Sequence, residues 1–425
     1  MKKYLTAVAT LFFVIISAIF LSSCIKDNIT RTYTYSYYLP VYKTTGEVRA
    51  NIKSNAPQEV VNPGKIVLLG NYIFLNEIDK GIHVIDNRNP ASPQNIAFIN
   101  IPGNMDLALK GNTLYADLYT DLVTLDISNP LNAIVKKYNE GVFPFRSYGY
   151  GFYNDSTKII TDWIKHDTTI TEKIEGGNST IYPQVYYMNV SAPSSSGSAN
   201  NSGSPIGKGG SMARFTIVNK RLYTVSNSDI NVFNITIPNN PVYNNNVNVG
   251  SWSIETIFPF KDKLFIGSQN GMFIYSISNP DNPALLGQFE HVRSCDPVIA
   301  DDDYAYVTLR SGSACQGFTN QLEILQLNNF TNAQLVKTYS FSNPHGLSKD
   351  GNLLFICDGS DGLKIYNASD VSNLQLIKQF SNIETYDVIA FNNIALVVAK
   401  DGLYQYDYSD VNNIHLVSKI GISNK

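Results

Sequence analysis

Residues 121–130 read DLVTLDISNP, an apolar strand that ends on Asp126 and runs into Ser128, Asn129 and Pro130. A second copy, GIHVIDNRNPASP, stands at 81–93, and a third, MFIYSISNPDNP, at 272–283. The unit recurs about every forty residues, a period that marks architectures whose repeats cannot bury an apolar face alone and must stack on their neighbours. Around 121–130, residues 107–110 alternate as a short strand, Gly111 and Asn112 turn the chain, and 113–119 form a second strand. Residues 121–126 are the third strand and 133–138 the fourth. Gly-Asn between alternating apolar runs signals a short hairpin. Four antiparallel strands in about forty residues make one blade of a β-propeller, so the predicted fold is all-β.

First strands begin near Ile66, Leu107, Arg214, Ile257, Pro297, Leu347 and Val388, which gives seven regular blades. The interval from Leu107 to Arg214 is far longer than one period. Within it, 148–152, 158–164 and 168–171 read as strands of an irregular extra blade, so eight blades are expected, with seven as the alternative. The Ser-, Gly- and Asn-rich stretch near 176–212 cannot bury enough apolar surface to offset its conformational entropy and reads as a disordered insertion.

Leu122-Val123-Thr124-Leu125-Asp126, followed by Ser128-Asn129-Pro130, resembles the LVIVD repeat family, whose units join an apolar strand ending in Asp to a Ser-Asp/Asn-Pro turn. His83-Val84-Ile85-Asp86 is a comparable copy with His in place of an apolar residue. The resemblance covers most of 66–423. It implies a propeller, and beyond that only that relatives are mostly exported or cell-surface bacterial proteins of unassigned activity. The phrase itself reads as a turn: Asp, Ser or Asn ending a strand accepts a backbone amide two residues on, and Pro fixes φ. Later copies carry Asn234, Ser276, Gln326 and Asn367 in place of the Asp, which argues against a metal in every blade.

Lys2 and Lys3 precede an apolar run over 4–20, and Leu21-Ser22-Ser23-Cys24 follows. A plain secretory signal ends in a small-x-small site. This ending instead resembles the lipobox of bacterial lipoproteins, which implies a signal peptide over 1–23, diacylglycerol on the Cys24 thiol and an acyl chain such as palmitate on its amine. Several chains at about 0.8 kcal/mol per buried methylene hold a protein at a membrane without a spanning helix. The alternative is an uncleaved signal anchor with an incidental cysteine. Lys26-Asp27 loosely resembles the Lys-acidic export signal of surface lipoproteins, so the expected place is the outer membrane, on its periplasmic face or at the cell surface. Residues 24–63 then form a tether with a Tyr-rich strand at 32–38 and a weak helical pattern at 47–53; the strand is a plain spacer, docks on the propeller's side or closes its ring. The propeller occupies 64–425.

The net charge is −3 and the 32 Lys and Arg are scattered, which argues against a nucleic-acid partner. No Gly-x-Ser-x-Gly elbow, His-Glu-x-x-His, phosphate loop or Cys-x-x-Cys-His occurs. Propeller enzymes assemble sites from separate blades, so an enzyme stays open. Cys295 and Cys315 fall in two connections that emerge at the same end of one blade, which makes a disulfide plausible in an exported protein. Closing that loop would contribute about 3 kcal/mol; two free thiols are the alternative. Cys357 reads as a small buried hydrophobe. The same end of the ring gathers Asp106, Glu255, Arg293, Asp296, Arg310, His345 and Asp387 around the channel mouth, a funnel suited to a polar ligand or a cation, although channel mouths are also polar because water fills them. Asp358 and Asp361 offer oxygens to calcium, or serve as an Asp-Gly turn. The expected function is a binding or scaffold module for a protein or glycan partner. The alternative is a polymer-acting hydrolase or lyase with its site in the funnel.

Overall fold

A computed structural model describes residues 28–148, 152–155, 157–175, 204–251, 253–291, 297–312 and 319–423. They fall into two units, one of them a ribbon and the other the propeller.

Among the described residues the propeller has seven blades, each built on a four-stranded antiparallel meander. Blade 1 runs from Pro63–Leu69 to Gln94–Asn100 and blade 2 from Leu107–Lys110 to Ile134–Asn139. Blade 3 runs from Phe215–Val218 to Val242–Asn248, and blade 4 from Ile254–Phe260 to Ala284–Glu290. Blades 5, 6 and 7 begin at Val298–Ala300, Leu347–Asp350 and Thr385–Phe391. The first strands neighbour one another around the ring and so line its axis.

Why these sequences stack is visible in the core. Successive side chains of a strand point to opposite faces, and in the inner strands both faces are covered. Ile73 and Leu75 pack toward blade 7, while Phe74 between them packs toward blade 2. The apolar residues therefore sort into seven clusters, one in each gap between successive blades. The last joins Ile66, Ile73, Leu75 and Ile85 of blade 1 to Ile389, Leu396 and Val398 of blade 7, which closes the ring. The Ser423 amide also donates to the Val60 carbonyl at 2.8 Å. Some third strands are entered through glycine for a steric reason. At Gly362, just before Leu363–Asn367, φ is +84° and a Cβ would stand 1.9 Å from the Phe380 carbonyl oxygen, so only glycine lets the fourth strand approach so closely.

The phrase that revealed the repeat is a turn, as expected. Asp126 accepts from the Ser128 amide at 3.0 Å, Asn234 from Thr236 at 2.9 Å, Ser276 from Ser278 at 3.2 Å and Asp407 from Ser409 at 2.7 Å. It also bolts blades together, since the Tyr115 hydroxyl of blade 2 donates to Pro238 of the next phrase at 2.9 Å and Tyr223 to Pro280 at 2.8 Å.

Seven blades form among the described residues, the alternative to the expected eight, and other expectations are corrected. Residues 158–171 are not strands of an extra blade: Ile159–Glu175 is one continuous strand paired with Asn28–Lys43 in a two-stranded ribbon. The supposed turn at Lys165-His166-Asp167 holds no Gly, Pro or Asn, and the flanking Thr and Ile favour staying extended. The Tyr-rich strand consequently belongs to that ribbon and is not what closes the ring. The tether beyond it is built onto blade 1. Thr44 and Glu47 cap a short helix, Thr45–Arg49, in a reciprocal capping box, and Lys53–Asn55 pairs outside the fourth strand of blade 1.

Last, the segment read as a disordered insertion is ordered from residue 204 onward. Lys208–Gly209 pairs with Leu68 and Val67 of the innermost strand of blade 1.

Candidate functional site

The predicted funnel is where the chain crosses its own channel. The Gly111 amide donates to Pro205 at 2.7 Å and the Gly207 amide to Leu109 at 2.8 Å, which ties the segment to blade 2. The Lys208 ammonium donates to the Ala390 carbonyl of blade 7 at 3.1 Å and lies over the Phe391 ring. The Ser211 hydroxyl accepts the Leu347 amide of blade 6 at 2.6 Å and reaches Asp387 of blade 7 at 3.4 Å. Lys65 of blade 1 donates to the Met212 carbonyl at 2.8 Å, and the Ile257 amide of blade 4 to Ala213 at 2.7 Å. Residues 205–213 thus bond to five blades before entering blade 3. Gly207 and Gly210 make the passage possible by bringing bare backbone against the inner strands, and a Cβ on Gly207 would stand 2.6 Å from Val67 Cγ1. A Cβ on Gly210 would stand 2.1 Å from Asp387 Oδ2. Between this segment and the strands of blades 2 and 3 remains a cavity of about 10 Å³, bordered by Asp106, Ile206 and Thr216, room for about one water.

Ile66, Leu107, Phe215 and Val388 pair with the second strands of their blades at equivalent places, opposite Leu75, Ala116, Thr224 and Val397, and the residue that precedes each stands at the inner end of its blade. At this level stand Lys65, Asp106, Arg214 and Asp387. Lys65 Nζ is 3.9 Å from Asp106 Oδ2, both nearly fully buried. Asp106 also accepts the amides of Arg214 at 2.6 Å and Leu107 at 2.7 Å. Burial penalises charge here and raises the Asp106 carboxyl to about 6, against the pull of Lys65. The same burial lowers Lys65 to about 7 and holds Arg214 below its ordinary value. Asp387 is raised to about 7 by burial. Its Oδ1 accepts the Val388 amide at 2.9 Å, whereas Oδ2 is buried with no hydrogen bond. Asp117, also raised by burial, accepts the amides of Met105 and Asp106 at 2.8 and 2.9 Å. Arg146, which follows blade 2, covers it by pairing with Asp79 and the Gly103 carbonyl.

The other predicted residues are placed separately. Glu255 accepts from Gln269 at 3.0 Å, with its carboxyl raised by burial. Arg310 is lowered by burial, with Glu255 pulling the other way. His345 contacts Asn343 at 3.1 Å and the edge of Tyr386; burial, then Arg310, lowers it to about 3, so its imidazole is neutral. Among the described residues no hydrogen bond joins Asp106, Glu255, Arg310, His345 and Asp387 directly. Asp358 and Asp361 share the Lys364 ammonium at 2.6 and 3.2 Å, so a lysine already neutralises the proposed calcium oxygens. Cys357 is buried, as expected. Cys24, Arg293, Cys295, Asp296 and Cys315 lie outside the described residues.

Sequence reading missed Lys65, Arg214 and Ser211. Register alone could have found the first two, since both stand where Asp106 and Asp387 stand in their own blades. Ser211 carried no signal, because it sits in a stretch whose composition reads as disorder.

Residues 63–98, 103–138 and 263–291 match the LVIVD repeat. The chain carries LVIVD repeats. The matches fall on blades 1 and 2 and on the last three strands of blade 4; blades 3, 5, 6 and 7 keep the meander with more divergent sequences. No curated protein matches the chain. Among solved structures, it is similar to a protein from Lactobacillus plantarum at 12% identity and TM-score 0.53, covering 85% of this chain and 98% of that one. It is also similar to the periplasmic gluconolactonase PpgL of Pseudomonas aeruginosa at 12% identity and TM-score 0.50, covering 84% and 96%. At such identity the likeness concerns the fold alone.

Proposed function

We propose that this LVIVD-repeat propeller is a lipid-anchored protein of the outer membrane, facing the periplasm or the cell surface, that serves as a binding or scaffold module for a protein or glycan partner. The observation that carries this reading is the chain segment in the channel. A hydrolase or lyase working on a polymer in the funnel needs that space, and residues 205–213 stand in it, bonded to five blades. The surfaces left for a partner are the loops and turns at the two ends and the outer strands. The anchor follows from the run at 4–20 and Cys24, since several acyl chains on one residue hold a folded domain at a bilayer.

Cys24→Ala should move the protein from the membrane fraction to the soluble fraction and remove the acyl mass from its amino-terminal peptide. Membrane partitioning and mass identical to those of the wild type would contradict the anchor. Crosslinking in intact envelopes, with the lipidated protein as bait, should yield a discrete protein or glycan adduct; turnover of a soluble polymer by the purified protein would instead revive the hydrolase reading.

A further inference from the structure

The ribbon formed by Asn28–Lys43 and Ile159–Glu175 has two unlike faces. Thr32 meets Thr171 at 3.1 Å, Thr34 meets Thr169 at 2.9 Å, and Ser36 donates to Asp167. These three cross-strand pairs fix the register and make the stretch from Thr32 to Ser36 on one face a ladder of hydroxyl and carboxylate groups, with one exposed ring, Tyr38, beyond it on that face. Side chains alternate along a strand, so residues 33, 35, 37 and 39 occupy the opposite face. There Tyr33, Tyr35 and Tyr37 line up with ring centroids 6.4 Å apart at each step, and His166 stacks on Tyr37 at 5.4 Å. The same register sets Ile164 across from Leu39. Tyr35, Tyr37, Leu39 and Ile164 are 37, 36, 46 and 52% exposed. A two-stranded ribbon has no second layer of its own to bury such a face, and alone in water it is marginally stable.

We infer that this aromatic face lies in the headgroup layer of the membrane that holds the lipid on Cys24. The inference rests on the lipoprotein reading. Cys24 precedes the first ribbon residue, Asn28, by four positions, which at full extension span about 14 Å. A ribbon on so short a leash begins within the depth of the lipid headgroups. Tyrosine suits that layer, because its ring is apolar while its hydroxyl stays hydrated. Water in the headgroup layer also satisfies the open edges of both strands, which the hydrocarbon interior would not. The hydroxyl face then points to the aqueous side.

The test labels the full-length acylated protein with an environment-sensitive fluorophore at Tyr35→Cys or Thr34→Cys and reconstitutes it in phosphatidylethanolamine–phosphatidylglycerol vesicles containing headgroup-nitroxide lipid. Quenching is expected at position 35 and not at its neighbour 34. Equal quenching at both positions, or at neither, overturns the inference. A face-specific change that appears without vesicles and grows with protein concentration also overturns it, by identifying a second copy of this chain as what covers the face. A second arm separates the ribbon from the anchor. Protein beginning at Ile25, which carries neither the apolar run at 4–20 nor the lipid, should co-sediment weakly with concentrated vesicles, and adding Tyr35→Ser, Tyr37→Ser and Leu39→Ser should lower that partition about tenfold or more. Absence of acyl mass on the wild-type protein would defeat the anchor alone; a partition unchanged by the three serines would defeat the ribbon alone.

Discussion

Gly210→Ala should destabilise the propeller by about 2–3 kcal/mol, and Asp387→Ala in the same chain should recover a large part of that loss. The added Cβ would stand 2.1 Å from Asp387 Oδ2, 2.7 Å from Cγ and 2.9 Å from Oδ1. The carboxylate has nowhere to retreat. On its other side Gly346 is just as close, since a Cβ there would lie 2.2 Å from Oδ1, and the Val388 amide holds that oxygen at 2.9 Å. The side chain of blade 7 is thus held between bare backbone of the channel segment and bare backbone entering blade 6. Overpacking such a site forces the segment outward and strips Ser211 from the Leu347 amide. Truncating Asp387 removes the obstacle, so the two substitutions should couple strongly in chemical denaturation. Simple additivity would mean that Gly210 and Asp387 do not touch.

Asp387→Asn should raise stability at pH 8 by about 2 kcal/mol and leave it within about 1 kcal/mol of the wild type at pH 4. Burial lifts the folded carboxyl from its ordinary 3.8 to about 7. Between those values the folded chain keeps a proton that the unfolded chain has released, so the wild type loses stability as pH rises through that window. Above pH 7 it carries a buried charge that the Val388 amide and Ser211 offset only in part. Asparagine cannot ionise, so its stability lacks that slope. Lys65 acts in the opposite sense at higher pH: its ammonium, lowered to about 7, is lost first in the folded state, and its contribution to stability rises from pH 7 toward 10.5. Thermal melts of both proteins from pH 4 to 8 check this. A wild type more stable than Asp387→Asn at pH 8 would show that the ionised carboxylate is paired after all.

The repeat was legible because one physical constraint repeats with it. Each blade needs apolar strands covered on both faces and a turn that satisfies its own amides, and residues 121–130 show both in ten letters. The seven first strands could be counted for the same reason. The extra blade was misread because strand composition does not say what a strand pairs with. Residues 159–175 are strand-forming, but their partner lies more than a hundred positions upstream. The channel segment was hidden more deeply. Gly207, Lys208, Gly209, Gly210 and Ser211 have the composition of a flexible linker, and a stretch poor in side chains is also what fits between close-packed inner strands. The same letters serve both ends, and only the surrounding ring distinguishes them. Of the funnel residues, Asp106 lies beside Lys65 and Asp387 beside Ser211, and neither neighbour carries a motif.

The central claim is that residues 205–213 occupy the channel as a fixed part of the fold. Native-state hydrogen exchange read by mass spectrometry tests it most directly, using peptides that cover 205–213 and, for comparison, the inner strands Pro63–Leu69 and Leu107–Lys110 and the exposed turn at 128–132. The Gly207 amide bonded to Leu109, and the pairing of Lys208–Gly209 with blade 1, predict exchange as slow as that of the two inner strands. Exchange of 205–213 as fast as the 128–132 turn would contradict the account, because the segment would then be a loose loop and the channel open.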